Sequence, residues 1–369
     1  MEVLEKFGHG GDLLTAKERY GIGPDAFLDY SANINPLGPP ERVIEVLQDQ
    51  FLQVVRYPDP AHRAFRHALS ERLQLPAEWL LPTNGAAEAM ALAILACEPK
   101  TVGLVYPCFS EYAQLSRQFG AKLHGIYGRE ENGYKPDAQE LYALCRQADM
   151  VFVGSPNNPT GLCYTPDELV RLAEWSEETG TWLVVDEAFL DFLEEEKQFS
   201  LAATLARYPR VILIRSMTKM YAIPGLRLGY AIALPEVVER MREKQVTWSV
   251  NALALLAGEH CLREVAYEQK TRALIAKERA YLISALSSLP DWQVWPGEAN
   301  FLLVRTPAWT DAHGLQDALG KSGVLIRSCA MYPGLDSRHV RIAVRRREDN
   351  ERLIARLREF CGAHGKGGE

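Results

Sequence analysis

This sequence predicts an α/β fold, a mostly parallel sheet between layers of helices followed by a smaller α+β region. Three observations carry that expectation. Between residues 102 and 233, short apolar runs rich in β-branched residues alternate with stretches of helical pattern. Those runs are continuously apolar rather than alternating, as in strands buried on both faces. From Pro235 onward the pattern changes to long helices followed by separated strands, and 369 residues are enough for two domains.

In chain order, residues 1–24 read as an irregular arm containing His9, Gly10 and Gly11. Residues 27–31 read as a short strand running into a turn at 33–38, rich in Asn, Pro and Gly. Pro40 opens a helix over 41–50. Two prolines make 57–60 a rigid loop, and 61–74 reads as another helix. Asn84 and Gly85 begin an apolar helix at 86–97. Strand 102–106, helix 109–119, strand 150–154, helix 166–179 and strands 182–186, 211–214 and 228–233 follow. Beyond Pro235, helices over about 236–262 and 264–289 precede strands at 294–304, 324–327 and 339–344, and a helix at 347–361 closes the chain. The expected division is an N-terminal arm and strand at 1–35 joining the small domain, a large domain at 36–250 and the small domain at 251–369.

Composition narrows the function classes. The chain is 47% hydrophobic and 24% charged, ordinary for a soluble globular protein. A net charge of -7 argues against nucleic acid and anionic membranes as partners. No apolar run reaches the length of a membrane span, and residues 1–11 hold no secretory h-region. Cysteines 97, 108, 145, 163, 261, 329 and 361 are odd in number and form no C-x-x-C. They read as reduced thiols in a cytoplasm, with neither a disulfide framework nor a metal site.

The chemistry is carried by the stretch 214–230. A buried strand ends in Ser216, Thr218 and Lys219, and eight residues later Arg227 stands among Pro224, Gly225 and Gly229. A lysine at a strand end is either a solvated terminus or a reactive amine. Two hydroxyls and a guanidinium beside it make an anion site and favour the second. Upstream, Gly85 and Ala86 start a helix whose first N–H groups suit a phosphate. The segment 155–161, with Asn158 before its second proline, follows a strand. Asp186 ends another strand, where a buried carboxylate is costly unless paired. Arg327 and Arg341 lie on late strands, as anion contacts or as solvated caps. The glycines after His9 allow backbone N–H groups to close on an oxyanion.

The S-x-T-K run followed by G-x-R-x-G-Y resembles the cofactor-lysine segment of the aspartate aminotransferase superfamily, fold type I of the pyridoxal 5'-phosphate enzymes, and the other motifs lie upstream in that family's order. The resemblance implies a seven-stranded type of large-domain sheet. It also implies that Lys219 forms the Schiff base and that Gly85, Ala86, Ser216, Thr218 and Arg227 surround the cofactor phosphate. Asn158 is then the donor to the pyridine O3′, Asp186 the partner of the protonated ring nitrogen, and Phe109 the aromatic stacked on the ring. Arg341 matches the arginine that binds the substrate carboxylate. Tyr57 matches a residue that reaches the partner subunit's cofactor phosphate, which implies a homodimer. One departure stands out: Phe189 occupies a position where many of these aminotransferases have tyrosine, so the O3′ loses a donor.

Within the superfamily the chain is most similar to the histidinol-phosphate aminotransferase group. Its His9–Gly10–Gly11–Asp12 arm and its segments 30–38, 186–191 and 248–251 more specifically resemble the L-threonine-O-3-phosphate decarboxylases of cobalamin biosynthesis. That implies a phosphorylated amino acid as substrate, gripped by His9, Gly10, Asn33, Arg327 and Arg341, with Asn158 at the cofactor. Which arginine holds phosphate and which carboxylate stays open. The implied reaction is loss of carbon dioxide to give (R)-1-amino-2-propanol O-2-phosphate. The enzyme alternative is a histidinol-phosphate aminotransferase, against which Phe189 and the arm count. A pyridoxal-phosphate-sensing regulator would need a DNA-binding domain, for which this chain leaves no room, and the acidic charge is against it.

Overall fold

The computed structural model describes residues 4–5 and 9–364. From the N-terminus come helix α1 (Leu13–Tyr20), strand β1 (Leu28–Asp29), and helices α2 (Glu41–Asp49) and α3 (Arg63–Leu73). The alternating run is β2 (Leu80–Thr83), α4 (Ala86–Cys97), β3 (Thr101–Tyr106), α5 (Ser110–Gln118), β4 (Lys122–Tyr127), α6 (Ala138–Gln147), β5 (Met150–Gly154), α7 (Pro166–Thr179), β6 (Trp182–Asp186), β7 (Val211–Ser216), α8 (Met217–Met220) and β8 (Gly229–Ile232). Helices α9 (Pro235–Lys244), α10 (Ala252–Cys261) and α11 (Val265–Ser287) follow. The last elements are β9 (Gln293–Trp295), β10 (Phe301–Arg305), α12 (Ala312–Lys321), β11 (Val324–Leu325), β12 (Arg327–Ser328), β13 (His339–Ala343) and α13 (Arg347–His364).

Seven strands form one sheet in the order β2-β8-β7-β6-β5-β3-β4. All pairs are parallel except those of β8, which runs against both β2 and β7. The continuous apolar runs have their cause here. Met150 and Phe152 point into a core shared with α4, α5 and α9, while Val151 and Val153 point into the larger core on the opposite face. Both faces of the strand are covered, so neither set of residues is polar. Two strands of this sheet carry no such signal. β4 is an edge strand with its residues exposed or half-buried, and β2 contains Pro82, which argues against a strand except at an edge, where β2 lies.

The second sheet is antiparallel, in the order β12-β13-β10-β9, and β1 pairs in parallel with β11. That pairing ties the N-terminal segment to the C-terminal part of the chain. No helix among the described residues is long and apolar enough to cross a membrane.

Four expectations need correction. The arm is not irregular throughout: Asp12 caps α1 by accepting the Thr15 N–H (3.1 Å), and Gly21 ends it in a left-handed turn. The long helix expected at 236–262 is two helices, because Trp248 adopts φ 61° and Asn251 starts α10 by accepting the Ala254 N–H. The strand expected at 294–304 folds back on itself, β9 against β10, through the turn that contains Pro296 and Gly297. The strand at 324–327 divides at Ile326, so that β11 joins β1 and β12 joins β13.

Candidate active site

A cavity of about 420 Å³ lies where the carboxyl ends of β5, β6 and β7 face the start of α4 and the second sheet. This is the position at which open α/β sheets bind ligands. Its walls carry four cations, Lys219, Arg227, Arg327 and Arg341, against two carboxylates, Asp186 and Glu111. In a chain of net charge -7 that local excess marks a site for anions.

One end of the cavity gathers groups that suit a phosphate. Gly85 is the N-cap of α4, at φ 80°. A Cβ there would stand 2.5 Å from Arg227 Nη2, so only glycine lets the guanidinium lie over the helix start. Arg227 itself holds a left-handed φ of 57°, a conformation a side-chain-bearing residue keeps only when its surroundings impose it. Ser216 and Thr218, both buried, share a hydrogen bond of 2.8 Å. Hydroxyls, a guanidinium and free helix N–H groups thus converge on one spot.

Opposite lies Asp186, at the end of β6 and 7% exposed. It accepts hydrogen bonds from the Tyr112 hydroxyl (2.7 Å) and the Ala188 N–H (3.0 Å). No cation among the described residues pairs with it, and burial pushes its pKa up to about 6 despite those two donors. Phe109 forms another wall, edge-on to Tyr112 at 5.7 Å, and Tyr112 stacks on Phe152 at 5.1 Å. Burial, helped by Arg341 and Arg227, lowers the Lys219 amine to about 8. Phe189 brings no hydroxyl and packs edge-on against Phe301 at 5.0 Å. The donor set fits pyridoxal 5'-phosphate. It offers a phosphate cup, an amine with a lowered pKa, and a buried carboxylate that lacks the positive partner a protonated pyridine nitrogen would supply.

The remaining wall comes from the second sheet and the N-terminal arm. Arg327 and Arg341 are directly opposed across β12 and β13, so two like charges sit side by side. Arg341 donates to Asn158 Oδ1 (2.7 Å) and the Ser31 carbonyl (2.6 Å) and lies 5.4 Å over the Phe301 ring. Among the described residues its buried Nε has no hydrogen-bond partner and no carboxylate forms an ion pair with it. Arg327 is fully buried and pairs with Glu5 at 2.8 Å. Asn33 is 3% exposed and its amide oxygen has no hydrogen-bond partner among the described residues. His9 Nε2 stands 2.5 Å from Glu111 Oε1, with its ring 6.0 Å from that of Phe109. Gly10 presses on the backbone of Ser31, where a Cβ would come within 2.3 Å of the carbonyl oxygen. Two opposed guanidiniums, one with an unsatisfied nitrogen, form an anion site that the protein's own carboxylates leave half compensated.

Lys219, Asp186, Asn158, Ala86, Phe109, Ser216, Thr218, Arg227, His9, Gly10, Asn33, Arg327 and Arg341 all line this one cavity, and Gly85 backs it. Tyr57 does not. It is 79% exposed and stacks on Trp248 at 4.5 Å, away from the cavity. Sequence reasoning missed Glu5, Glu111 and Tyr112. Tyr112 lies three residues after Phe109 in the first turn of α5, so helical spacing from Phe109 was a usable signal for it, whereas Glu111, two residues on, carried none. Nothing in the sequence marked Glu5.

Residues 26–357 match the family described as aminotransferase class I and II. A threonine-phosphate decarboxylase from Salmonella typhimurium is 42% identical over 96% of this chain and 97% of its own length. A histidinol-phosphate aminotransferase from Symbiobacterium thermophilum is 34% identical over 92% of each chain. The crystal structure of an L-threonine-O-3-phosphate decarboxylase from Porphyromonas gingivalis superposes with a TM-score of 0.81 at 25% identity, covering 90% of this chain and 98% of that one.

Proposed function

The chain belongs to the class I and II aminotransferase family, and we infer that it uses pyridoxal 5'-phosphate to decarboxylate L-threonine O-3-phosphate, giving (R)-1-amino-2-propanol O-2-phosphate and carbon dioxide for cobalamin biosynthesis. The observation that carries this reading is the directly opposed pair Arg327 and Arg341 in an electropositive cavity. Phosphothreonine brings two anionic groups to such a pair, whereas histidinol phosphate brings one. The 42% identity to a decarboxylase, against 34% to an aminotransferase, points the same way.

Bound in this cavity, pyridoxal phosphate supplies the conjugated ring that accepts the electron pair of the breaking Cα–carboxylate bond. The chain's residues do the rest. Ser216, Thr218, Arg227 and the first N–H groups of α4 hold the phosphate. Asp186 would keep a proton on the ring nitrogen, a charge–charge contact that would relieve its own burial. Asn158, with its oxygen taken by Arg341, has its amide N–H groups to donate. Lys219 would hold the aldehyde end of the cofactor, and its amine, lowered to about 8, is suited to hold and deliver a proton near Cα. Arg327, Arg341, Asn33 and His9 fix the substrate's anionic groups, and so fix which bond at Cα faces the ring. Phe189 withholds the hydroxyl that a tyrosine would offer there.

The enzyme is proposed to act as a cytoplasmic homodimer. An exposed apolar strip, Phe51, Leu52, Val54, Val55 and Tyr57, continues to Val246 and Trp248 and is suited to a second copy. Tyr57 then serves the neighbouring site. The seven free thiols suit a reducing compartment.

The test is a substrate panel. Phosphothreonine is expected to exceed both threonine and histidinol phosphate in kcat/KM by about tenfold to a hundredfold, the cost of one unmade charge-assisted contact. Equal turnover of threonine would remove the phosphate from the reading.

A further inference from the structure

We propose that Glu5 is a positioning residue for substrate binding: from behind the cavity its carboxylate holds Arg327 where the guanidinium can grip an anionic group of the substrate. The proposal rests on Arg327 being a substrate contact.

Arg327 is fully buried and faces Arg341 across two paired strands. Left to themselves, two desolvated like charges would push apart, and the more mobile side chain would turn away. Arg341 is fixed by neutral acceptors, Asn158 Oδ1 and the Ser31 carbonyl. Arg327 has a carboxylate instead, Glu5 Oε2 at 2.8 Å from its Nη1, and that side chain is only 10% exposed.

The side from which Glu5 approaches decides between two roles. A carboxylate occupying the substrate's own place would line the reaction cavity and compete with substrate. Glu5 does not line it. It lies in a separate small pocket with Gln316, Leu325 and Ile326, while Arg327 lines the main cavity. The guanidinium therefore stands between the two, paired with Glu5 on the side of the small pocket and forming part of the main cavity wall on the other. Glu5 also keeps a left-handed φ of 63°. That is a cost that the ion pair offsets.

The test is a double-mutant cycle read on KM for phosphothreonine in the cofactor-loaded enzyme. Glu5→Gln, which keeps shape and removes charge, should raise KM about tenfold while leaving the cofactor spectrum unchanged. Glu5→Asp should fall between Gln and the parent. Adding Glu5→Gln to Arg327→Ala should raise KM no further, because Glu5 acts only through Arg327. An unchanged KM in Glu5→Gln, a lowered one, or full additivity with Arg327→Ala would overturn the proposal. If Glu5→Gln does not fold, Glu5→Asp decides, since it retains the charge and loses only reach; a parental KM there counts against positioning. A parent enzyme that releases no carbon dioxide from phosphothreonine is a separate failure, that of the proposed function.

Discussion

Replacing Asp186 by asparagine should stabilise the protein when the cofactor is absent and weaken it when the cofactor is present. Without cofactor, Asp186 is a buried carboxylate with two hydrogen-bond donors and no cation. Its pKa stands at about 6 in place of 3.8, a rise of roughly two units at about 1.4 kcal/mol each, or about 3 kcal/mol. An acid whose pKa is raised on folding gives stability that is complete below its unfolded value and is lost as the pH climbs through the folded one. The parent should therefore lose about 3 kcal/mol between pH ~4 and pH ~6, and Asp186→Asn should not. The assay is urea denaturation of both proteins, stripped of cofactor, at pH 4, 5, 6 and 8, with midpoints compared. The asparagine variant is expected to gain on the parent up to pH ~6 and hold the gap above it. Adding pyridoxal phosphate should reverse the order, because the ring nitrogen gives the parent alone its missing charge partner. A gap independent of pH, or a cofactor-free parent more stable than the variant at pH 8, would refute the reasoning.

Lys219→Ala should abolish carbon dioxide release and the absorbance that borohydride bleaches; a reduced cofactor adduct mapped to another lysine would contradict the assignment. Because the Lys219 amine is lowered to about 8, cofactor attachment to the stripped protein should speed up as pH rises and level off above that value. Gly85→Ala drives a Cβ to 2.5 Å from Arg227 Nη2 at φ 80°, so pyridoxal phosphate affinity, measured by fluorescence titration, should fall about tenfold or more. Arg341→Ala strips the cavity of a guanidinium held only by neutral acceptors, and KM for phosphothreonine should rise about tenfold to a hundredfold in steady-state kinetics.

The central strands were legible because burial on both faces leaves no polar position, as Met150 to Gly154 and Trp182 to Asp186 illustrate. The edge strands were not, because β4 is half solvated and β2 spends a residue on Pro82. The breaks in the late segments, at Trp248 and at Ile326, depend on which partner each side finds, and a single run of apolar residues cannot express that. The cofactor end of the site was legible because its residues sit in contiguous motifs at strand ends. Glu5 meets Arg327 across 322 positions of chain, and such a contact leaves no local pattern; Tyr112 meets Asp186 across 74, and only its helical spacing from Phe109 hinted at it. Tyr57, exposed and stacked on Trp248, lies outside the cavity of its own chain, so the site here gives its motif no role.

The most direct measurement is product analysis on phosphothreonine labelled at its carboxyl carbon, with pyridoxal phosphate and no keto acid. Labelled carbon dioxide and amino-propanol phosphate in equal amounts, unaffected by added 2-oxoglutarate, are the expected result. Glutamate formed from histidinol phosphate and 2-oxoglutarate at a comparable rate, with no labelled carbon dioxide from phosphothreonine, would contradict it.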